Sequence, residues 1–392
     1  MSLSLYWKLS AFYFFYFASL GALIPYWNPY LKTLGFSDAA IGELIAMIMA
    51  TKVIAPNIWG WIADHTGKRV RIIRLASLLS VLCFAGVLFG SGYAWMLLVM
   101  LGFSFFWNAS LPQVEAVTMN HFQADTRSYN TIRLWGSVGF VVAVVLLGYL
   151  FVSLSPGSPG SAAPSAVAIS YLPVILLGLF AGIWITSLFV PEEPPTAMPR
   201  QRRPLGDSLY QRNAVFLLLV AFLLQASHGP YYVFFTRYLQ EWNYRSATIG
   251  ILWAWAVIAE ILVFLVIHRL LQRLGARRLL MAALLLTTLR WLLIAWLPGN
   301  LLLLSFAQTL HAASFGVVHA VSIYLIHRYF THDHQGRGQA LYSSLSFGLG
   351  GAVGSLVSGY LWAPVGGAMV FYIAAAISFV ALLFAWYGIE RQ

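Results

Sequence analysis

The chain contains a single cysteine, Cys83, among 392 residues, so it can form neither an internal disulfide nor a multi-cysteine metal site. Charged residues are also scarce, since Asp, Glu, Lys and Arg make up 9% of the chain against 60% hydrophobic residues. An ordinary soluble domain carries about 25% charged residues. The composition therefore predicts an integral membrane protein and excludes a soluble globular domain.

Long apolar runs follow one another along the whole chain. A membrane-spanning helix needs about 20 apolar residues. Runs of that length are predicted at 8–31, 39–62, 72–90, 94–118, 130–152, 170–190, 214–238, 247–267, 278–297, 301–327, 339–361 and 367–387. They are continuous rather than alternating, which is typical of helices and not of membrane barrels. The predicted fold class is all-α integral membrane, with 12 transmembrane helices.

The chain contains an internal repeat with an offset of 208 residues. Twelve identities fall between residues 18–69 and their counterparts, where about four are expected by chance from this composition. A duplicated bundle of membrane helices is typical of secondary transporters, which hold their substrate between the two copies. We expect two pseudo-symmetric six-helix bundles at 1–191 and 211–392, joined by a cytoplasmic linker at 192–210 that is rich in Pro and Arg.

The basic residues indicate the orientation in the membrane. Of the 23 Lys and Arg residues, seventeen fall at the termini or in the even-numbered loops, and only Lys32, Arg237 and Arg245 fall in the opposite loops. The positive-inside rule then places both termini in the cytoplasm. This bias accounts for the net charge of +11, so the charge gives no reason to expect a nucleic-acid partner.

The loop after the second predicted span carries a motif with a definite spacing. Its residues are Gly60-Trp-Ile-Ala-Asp64-His-Thr-Gly67-Lys68-Arg69. The motif resembles the G-x-x-x-D-x-x-G-[RK]-[RK] signature of the major facilitator superfamily, in which this loop acts as a conformational latch. Two glycines permit a tight turn, Asp64 can receive a helix N-terminus or an arginine, and Lys68 and Arg69 can meet anionic lipid. The second copy keeps Gly275, Arg277 and Arg278 but has Gln272 in place of the acid.

Two segments of the first half are similar to the lactose permease family. They are Pro112-Gln-Val-Glu115-Ala116 and Ile132-Arg133-Leu-Trp-Gly136-Ser-Val-Gly139-Phe140, with the same 18-residue gap between acid and base. The resemblance implies that Glu115 and Arg133 bind the substrate and that Phe140 stacks against it.

The second half continues this resemblance with two departures. Glu260, Arg290 and His311 match residues of the permease's binding and proton-coupling region. The permease has a carboxylate three residues after that histidine, where this chain has Ser314, and a lysine where this chain has Gln308. From end to end the chain is most similar to the phenylpropionate permease family, a relative of the lactose permeases.

Ionisable residues inside the spans need an explanation. A charge at the centre of a membrane helix costs about 2.5–3.5 kcal/mol on the insertion scale, so five of them would cost roughly 13–17 kcal/mol if unpaired. The five are Lys52, Glu115, Arg133, Glu260 and Arg290. We expect them to face a wet cavity or one another, with Arg133 between Glu115 and Glu260. Protonation of one acid would then shift the balance between inward and outward states.

Several alternatives stay open at this point. The buried charges can instead be structural ion pairs, an interpretation that is favoured for Lys52. His311, His319 and His327 recur every eight residues on the predicted tenth span and can be simple hydrogen-bonding residues. His332-Asp333-His334 can be a metal site or a solvated turn, and His121 with Asp125 can suggest an acyltransferase pair.

The sequence thus predicts a proton-coupled symporter that imports a small organic solute, an aromatic or other carboxylate, by alternating access. The alternatives are a sugar or nucleoside symporter and a membrane-embedded transferase. The expected partners are the solute, a proton and the lipid bilayer, and the expected form is a monomer in a bacterial-type cytoplasmic membrane. No catalytic residue, metal or cofactor is expected.

Overall fold

A computed structural model describes residues 3–121, 126–155, 164–192, 211–330 and 334–390. Within those ranges the chain is helical with no strand. The helices of the first half are α1 (Leu3–Thr33), α2 (Asp38–Thr66), α3 (Arg69–Ala85), α4 (Tyr93–His121), α5 (Thr126–Ser153), α6 (Ala166–Ser170) and α7 (Leu172–Leu188). Those of the second half are α8 (Arg212–Ser227), α9 (Gly229–Glu241), α10 (Ser246–Leu274), α11 (Ala276–Trp296), α12 (Leu301–Thr309), α13 (Val318–Tyr329), α14 (Gln335–Ser343) and α15 (Gly351–Gly388).

Two segments of the second half are wound as π-helix. Ala312–Val317 joins α12 to α13, and Ser344–Gly350 joins α14 to α15. A π-helical turn contains one residue more than an α-helical turn, so it rotates the side chains that follow it, and it is frequent at functional sites. Neither segment is visible in the hydropathy of the sequence.

The predicted spans correspond to the observed helices. Eleven helical stretches of the described residues are long and apolar enough to cross a membrane. The last stretch, Gln335–Gly388, has 54 residues, which at 1.5 Å per residue is far longer than a bilayer core of about 30 Å. Gly366 interrupts it with φ 79° and ψ 158°. This break separates two spans, as the sequence predicted, and gives twelve in all.

The internal repeat reappears in the backbone. Helix α10 begins and ends 208 residues after α2. Gly35 and Gly67 have positive φ, and so do their counterparts Asn243 and Gly275, again 208 residues later. Asn243 is the one non-glycine of this kind among the described residues, and asparagine is one of the few residues that tolerate the left-handed region. The turns at both ends of α2 were therefore kept in the second copy.

The described residues pack as two compact units. One falls within residues 1–198 together with Asn243–Ala254, and the other within 199–242 together with 255–392. Most of the predicted linker at 192–210 lies outside the described residues, so its boundaries stay a prediction.

Close helix packing through glycine organises the first unit. A Cβ atom on Gly21 of α1 would lie 2.6 Å from the carbonyl oxygen of Phe140 on α5, and one on Gly139 would clash with the backbone of Phe14. Without a hydrophobic driving force inside lipid, small residues that let backbones approach are a main source of helix association. Behind this seam, the rings of Phe84, Phe103 and Phe180 pack against one another in the core.

The second unit uses the same device where α8 packs against α15 and the π-helical segment before it. A Cβ on Gly354 would clash with the backbone of Ala226, and one on Gly350 would lie 2.6 Å from the carbonyl oxygen of Phe222. Helices α8, α11, α13 and α15 surround an apolar core that includes Leu217, Leu284 and Val321. The glycine contacts thus hold α8 in close contact with α15.

Candidate functional site

The loop motif of residues 60–69 forms a compact turn. The motif covers the end of α2, whose start is capped by Ser37, which accepts a hydrogen bond from the Ala40 backbone N–H at 3.2 Å. At the end of the helix Gly67 takes the left-handed conformation, φ 67°, and its N–H donates to the Ala63 carbonyl. A glycine is needed here because other residues are strained at this φ. The chain then enters α3 after Lys68, which is exposed.

The basic end of the motif connects three helices of the first unit. Arg69 donates to the carboxylate of Asp64 through one nitrogen and to Gln113 Oε1 of α4, at 2.7 Å, through another. Asp64 thus receives an arginine, one of the two partners expected for it. Gly60 lies opposite Gln113 as well, since a Cβ there would be 3.7 Å from Gln113 Nε2. The motif therefore fixes the α2–α3 turn to α4.

The acid and base of the first half meet within the first unit. Arg133 Nε on α5 lies 3.7 Å from Glu115 Oε1 on α4. The hydroxyl of Tyr129 donates to the same carboxylate oxygen at 3.3 Å. The Arg133 side chain is 44% exposed and that of Glu115 is 32% exposed, so the pair is accessible rather than sealed in the core. It can change partners without unfolding the bundle.

The aromatic residues near this pair have different surroundings. Phe140 lies on α5 seven residues after Arg133 and is 8% exposed, so most of its ring is packed in the bundle. Trp135 donates from its indole nitrogen to the Tyr6 hydroxyl at 2.9 Å. Stacking of Phe140 on a substrate stays a prediction. Lys52 is half-buried on α2 of the same unit.

Arg290 on α11 is the most deeply buried charged residue of the second unit, with 0% exposure. One terminal nitrogen donates to Ser314 Oγ and the other to Gln308 Oε1, both at 3.1 Å. The guanidinium lies over the ring of Tyr231 at 4.2 Å and over that of Trp291 at 4.4 Å. Among the described residues no carboxylate lies within ion-pair distance of Arg290.

A second titratable pair lies beside this arginine. Glu260 Oε2 of α10 is 3.8 Å from His311 Nε2, and their side chains are 19% and 8% exposed. His311 also contacts the ring of Tyr231, with centroids 5.8 Å apart. The histidine therefore links the Glu260 carboxylate to the aromatic surroundings of Arg290.

His228, at the break between α8 and α9, completes the cluster. Its Nδ1 donates to the Leu224 carbonyl at 2.8 Å, so the neutral ring presents Nε2 as an acceptor. The ring packs edge to face against Trp291, with centroids 4.9 Å apart. The Trp291 indole donates in turn to Ser227 Oγ at 3.2 Å.

Several buried polar atoms of this cluster have no hydrogen-bond partner among the described residues. They are Arg290 Nε, Gln308 Nε2, His311 Nδ1 and His228 Nε2. Most buried polar groups in proteins are paired, and an unpaired one costs about 1–3 kcal/mol. We name these four residues with Glu260, Ser314, Tyr231 and Trp291 the Arg290 cluster. Two of these atoms, Arg290 Nε and Gln308 Nε2, are donors, and with the neighbouring ring faces they suit an anion with a flat apolar body.

The end of α12 and the π-helical segment that follows it supply the partners of Arg290. Gln308 lies at the end of α12, and Ser314 lies inside the segment Ala312–Val317. The Ser314 hydroxyl also donates to the His311 carbonyl at 3.2 Å. Gln308 and Ser314 thus both reach the Arg290 guanidinium of α11, whereas His311 between them faces Glu260 of α10.

The remaining candidates fall outside this cluster. His319 Nδ1 lies 3.3 Å from the Tyr342 hydroxyl, and His327 Nε2 contacts Gln339 Nε2 at 2.5 Å. His332 and Asp333 of the possible metal turn lie outside the described residues, as does Asp125 of the possible acyltransferase pair.

The expected meeting of Arg133 with Glu260 joins residues of the two units and stays a prediction.

Sequence reasoning missed the role of three residues. Gln308 and Ser314 were noted only as departures from the permease pattern, yet they are the hydrogen-bond acceptors of Arg290. His228 is not among the site residues predicted from the sequence. A usable signal existed, because an arginine whose usual acidic partner is replaced by serine must find other acceptors nearby.

Known proteins are similar to this chain along nearly its whole length. The model of the "MFS_1 like family" matches residues 6–374. A probable 3-phenylpropionic acid transporter of Escherichia coli (strain K12) is 29% identical over 383 residues, covering 94% of each chain. A maltose permease of Geobacillus stearothermophilus is 29% identical over 382 residues, covering 95% of this chain and 92% of the other.

Solved structures show the same fold. A crystal structure of a point mutant of the nucleoside transporter NupG has a TM-score of 0.86 at 19% identity and covers 98% of this chain and 100% of its own. A bacterial homologue of the human lysosomal transporter Spinster, inward-facing and occupied, has a TM-score of 0.75 at 15% identity. It covers 98% of this chain and 96% of its own.

Proposed function

Because the chain belongs to the MFS_1 like family, within the major facilitator superfamily that its motifs predicted, we propose that it is a proton-coupled symporter. It imports a small organic carboxylate, with an aromatic body preferred, by alternating access. The protein is a multi-pass membrane transporter of this superfamily with an all-α fold. The substrate class, the coupling to protons and the direction of flux are the proposed parts of this function.

The charge of Arg290 carries the proposal. Its two hydrogen-bond acceptors, Ser314 and Gln308, are neutral, and no carboxylate of the described residues lies within ion-pair distance, so the guanidinium has no direct counterion among them. A charge at the centre of a membrane helix costs about 2.5–3.5 kcal/mol. A substrate carboxylate would supply the missing negative charge. It would also accept from the Nε–H of Arg290, which has no described partner.

The rings around the guanidinium support an aromatic or flat apolar body. Tyr231 and Trp291 present their faces to Arg290 at 4.2 and 4.4 Å. Tyr231 further contacts Phe235, with centroids 4.7 Å apart. A planar ligand joined to a carboxylate fits such surroundings better than a neutral polyol. The relative from Escherichia coli is named for 3-phenylpropionic acid, an aromatic carboxylate.

A sugar or nucleoside is the second candidate. One relative is a maltose permease and the similar solved structures include a nucleoside transporter. The unpartnered Gln308 Nε2 and His228 Nε2 can bind hydroxyl groups of such a solute. The named relatives are transporters rather than enzymes, so a membrane-embedded transferase receives no support from them.

Glu260 is the proposed proton carrier, with Glu115 as the alternative. Its carboxylate lies 3.8 Å from His311 Nε2, and its side chain is 19% exposed. The carboxylate is therefore accessible and has a titratable side chain as its neighbour. In the first unit, Glu115 has Arg133 and Tyr129 as partners. We place the protein, as a monomer, in a bacterial-type cytoplasmic membrane with both termini in the cytoplasm.

Uptake into vesicles tests the whole proposal. Purified protein in liposomes should accumulate labelled 3-phenylpropionate when the outside is made acidic, and accumulation should disappear when a protonophore is added. Labelled maltose and uridine serve as the competing substrates. Equal uptake with and without the pH gradient would reduce the protein to a facilitator, and uptake of only maltose or uridine would replace the carboxylate assignment.

Glu260→Gln separates coupling from binding. We expect the variant to lose accumulation against a gradient while it still exchanges labelled for unlabelled substrate, since the amide cannot release a proton. Gln272→Asn on the same helix, exposed and remote from the Arg290 cluster, is the control that leaves both activities intact. Retention of uphill transport by Glu260→Gln would move the proton site to Glu115.

A further inference from the structure

A separate cavity lies at one end of the second unit, away from the Arg290 cluster. Its volume is about 390 Å³, within the usual range of about 300–1,000 Å³ for small-molecule sites. The residues that line it are Arg212, Asn213, Arg277, Trp386, Tyr387, Gly388, Ile389 and Glu390. The proposed transport cycle uses none of these residues.

The helix order places this cavity at a membrane face. Arg212 is the first residue of α8, Arg277 is the second residue of α11, and Tyr387 is near the end of α15. Helix α8 begins the seventh span, α11 is the ninth span, and the end of α15 is the end of the twelfth. The start of an odd-numbered span and the end of an even-numbered span lie on the same side of the bilayer. The positive-inside rule assigns that side to the cytoplasm.

Two arginines are held over aromatic rings at the wall of the cavity. The Arg212 guanidinium lies 4.4 Å from the ring centre of Tyr387 and 5.6 Å from that of Phe216. The Arg277 guanidinium lies 5.3 Å from the ring centre of Trp386 and donates to the Trp386 carbonyl at 2.7 Å. Cation–π contact engages the face of a guanidinium and leaves its N–H edges available for an anion.

The one acid of the cavity does not neutralise these arginines. Glu390 accepts a hydrogen bond from Asn213 Nδ2. Among the described residues neither Arg212 nor Arg277 lies within ion-pair distance of a carboxylate, and Arg277 Nε is buried without a partner. The wall therefore carries two positive charges against one negative charge that is already hydrogen-bonded. A small anion is the complementary ligand.

We propose that this cavity binds the phosphate of an anionic phospholipid headgroup. Basic pockets between membrane helices on the cytoplasmic side are suited to such headgroups. The exposed aromatic residues favour a lipid over free phosphate: Trp386 is 57% exposed and Tyr387 is 69% exposed. Amphipathic rings of this kind sit at headgroup level, so an acyl chain could extend from the bound phosphate past them into the bilayer.

Native mass spectrometry of the detergent-purified full chain tests the proposal, with phosphatidylglycerol as the anionic probe and phosphatidylcholine as the zwitterionic one. The double variant Arg212→Gln with Arg277→Gln should bind phosphatidylglycerol about 25-fold more weakly, about fivefold for each guanidinium. The matched control is Arg273→Gln with Arg278→Gln, which removes the same charge from exposed positions that do not line the cavity. The control should retain wild-type binding.

Three results would overturn the proposal. Equal weakening in both double variants would indicate a general charge effect, and equal binding of phosphatidylcholine would show that the site does not select anions. Inorganic phosphate that binds through the same arginines, when phosphatidylglycerol does not, would identify a free-phosphate site. If the double variant does not fold, Arg212→Gln alone keeps the Arg277 bond to Trp386 and should still weaken phosphatidylglycerol binding about fivefold.

Discussion

Arg290 shows how two departures from a family pattern can change the chemistry of a site. With a carboxylate three residues after His311, the guanidinium would have an ion-pair partner inside the protein. With Ser314 and Gln308 as acceptors, it keeps its geometry through hydrogen bonds and keeps its charge for another partner. Under the proposed function, these two uncharged residues account for the preference for an anionic substrate.

Ser314→Asp tests this link directly. A carboxylate at this position would lie close enough to the Arg290 guanidinium to form the ion pair that the wild type lacks. We expect the affinity for 3-phenylpropionate to fall by about thirtyfold or more, since losing the partner of a buried charge pair costs about 2–5 kcal/mol. The thermal stability should stay the same or rise. Binding can be measured by equilibrium dialysis.

Ser314→Asn is the matched control for that substitution. Its side chain has nearly the same shape as aspartate but no charge, so it can still accept from Arg290 without competing with a carboxylate. It should bind substrate within a few-fold of the wild type. If Ser314→Asp bound the carboxylate as well as Ser314→Asn does, Arg290 would not be the anion site.

Individual elements differ in how well the sequence predicts them. The twelve spans and the break near Gly366 follow from hydropathy, because length and apolar content suffice to locate a span. The π-helical segment Ala312–Val317 could not be predicted. Its winding changes the direction in which side chains point and leaves no trace in the amino-acid composition of the span. In a span that is apolar on all sides, periodicity does not reveal which residues face Arg290.

The glycines of the α1–α5 seam are an element-scale feature with a clear test. Gly139→Ala would push a Cβ atom into the backbone of Phe14, which cannot rotate away. We expect a destabilisation of about 1–3 kcal/mol, typical of overpacking, seen as a lower melting temperature of the purified protein.

Gly178→Ala provides the comparison within the same unit. Gly178 lies in α7, and a Cβ there would meet no atom within 4 Å. The alanine should be neutral or stabilise the helix by up to about 1 kcal/mol. Equal melting temperatures for the two variants would mean that the α1–α5 approach is looser than the structure shows.

At the scale of the whole molecule, the two copies of the repeat have kept their turns and lost part of their chemistry. Gly67 and Gly275 both take positive φ at the end of the second helix of their copy. Only the first copy has an acid there, Asp64, which binds Arg69. The position equivalent to Asp64 is Gln272, which contacts His268 instead. Duplication preserved the backbone, which packing constrains, more strictly than the charge.

Asp64→Asn therefore should affect transport through conformational change and not through binding. Replacing the carboxylate by an amide removes the ion pair with Arg69, which also donates a hydrogen bond to Gln113. We expect the maximal uptake rate to fall severalfold with an unchanged KM, because Asp64 lies in the last turn of α2 in the first unit, whereas the Arg290 cluster belongs to the second unit. Gln272→Asn, at the equivalent position, should change neither value. A raised KM in Asp64→Asn would contradict this assignment.

The orientation of the whole chain can be tested with a single added thiol. The native Cys83 lies within a span, partly buried, and is first replaced by serine. Ser91 lies in the exposed turn after the third span, and Gln272 lies near the exposed end of α10. With both termini in the cytoplasm, Ser91→Cys should react with a membrane-impermeant maleimide on intact cells. Gln272→Cys should react only after permeabilisation. The reverse pattern would invert the topology, and with it the assignment of the seventeen basic residues to the cytoplasmic face.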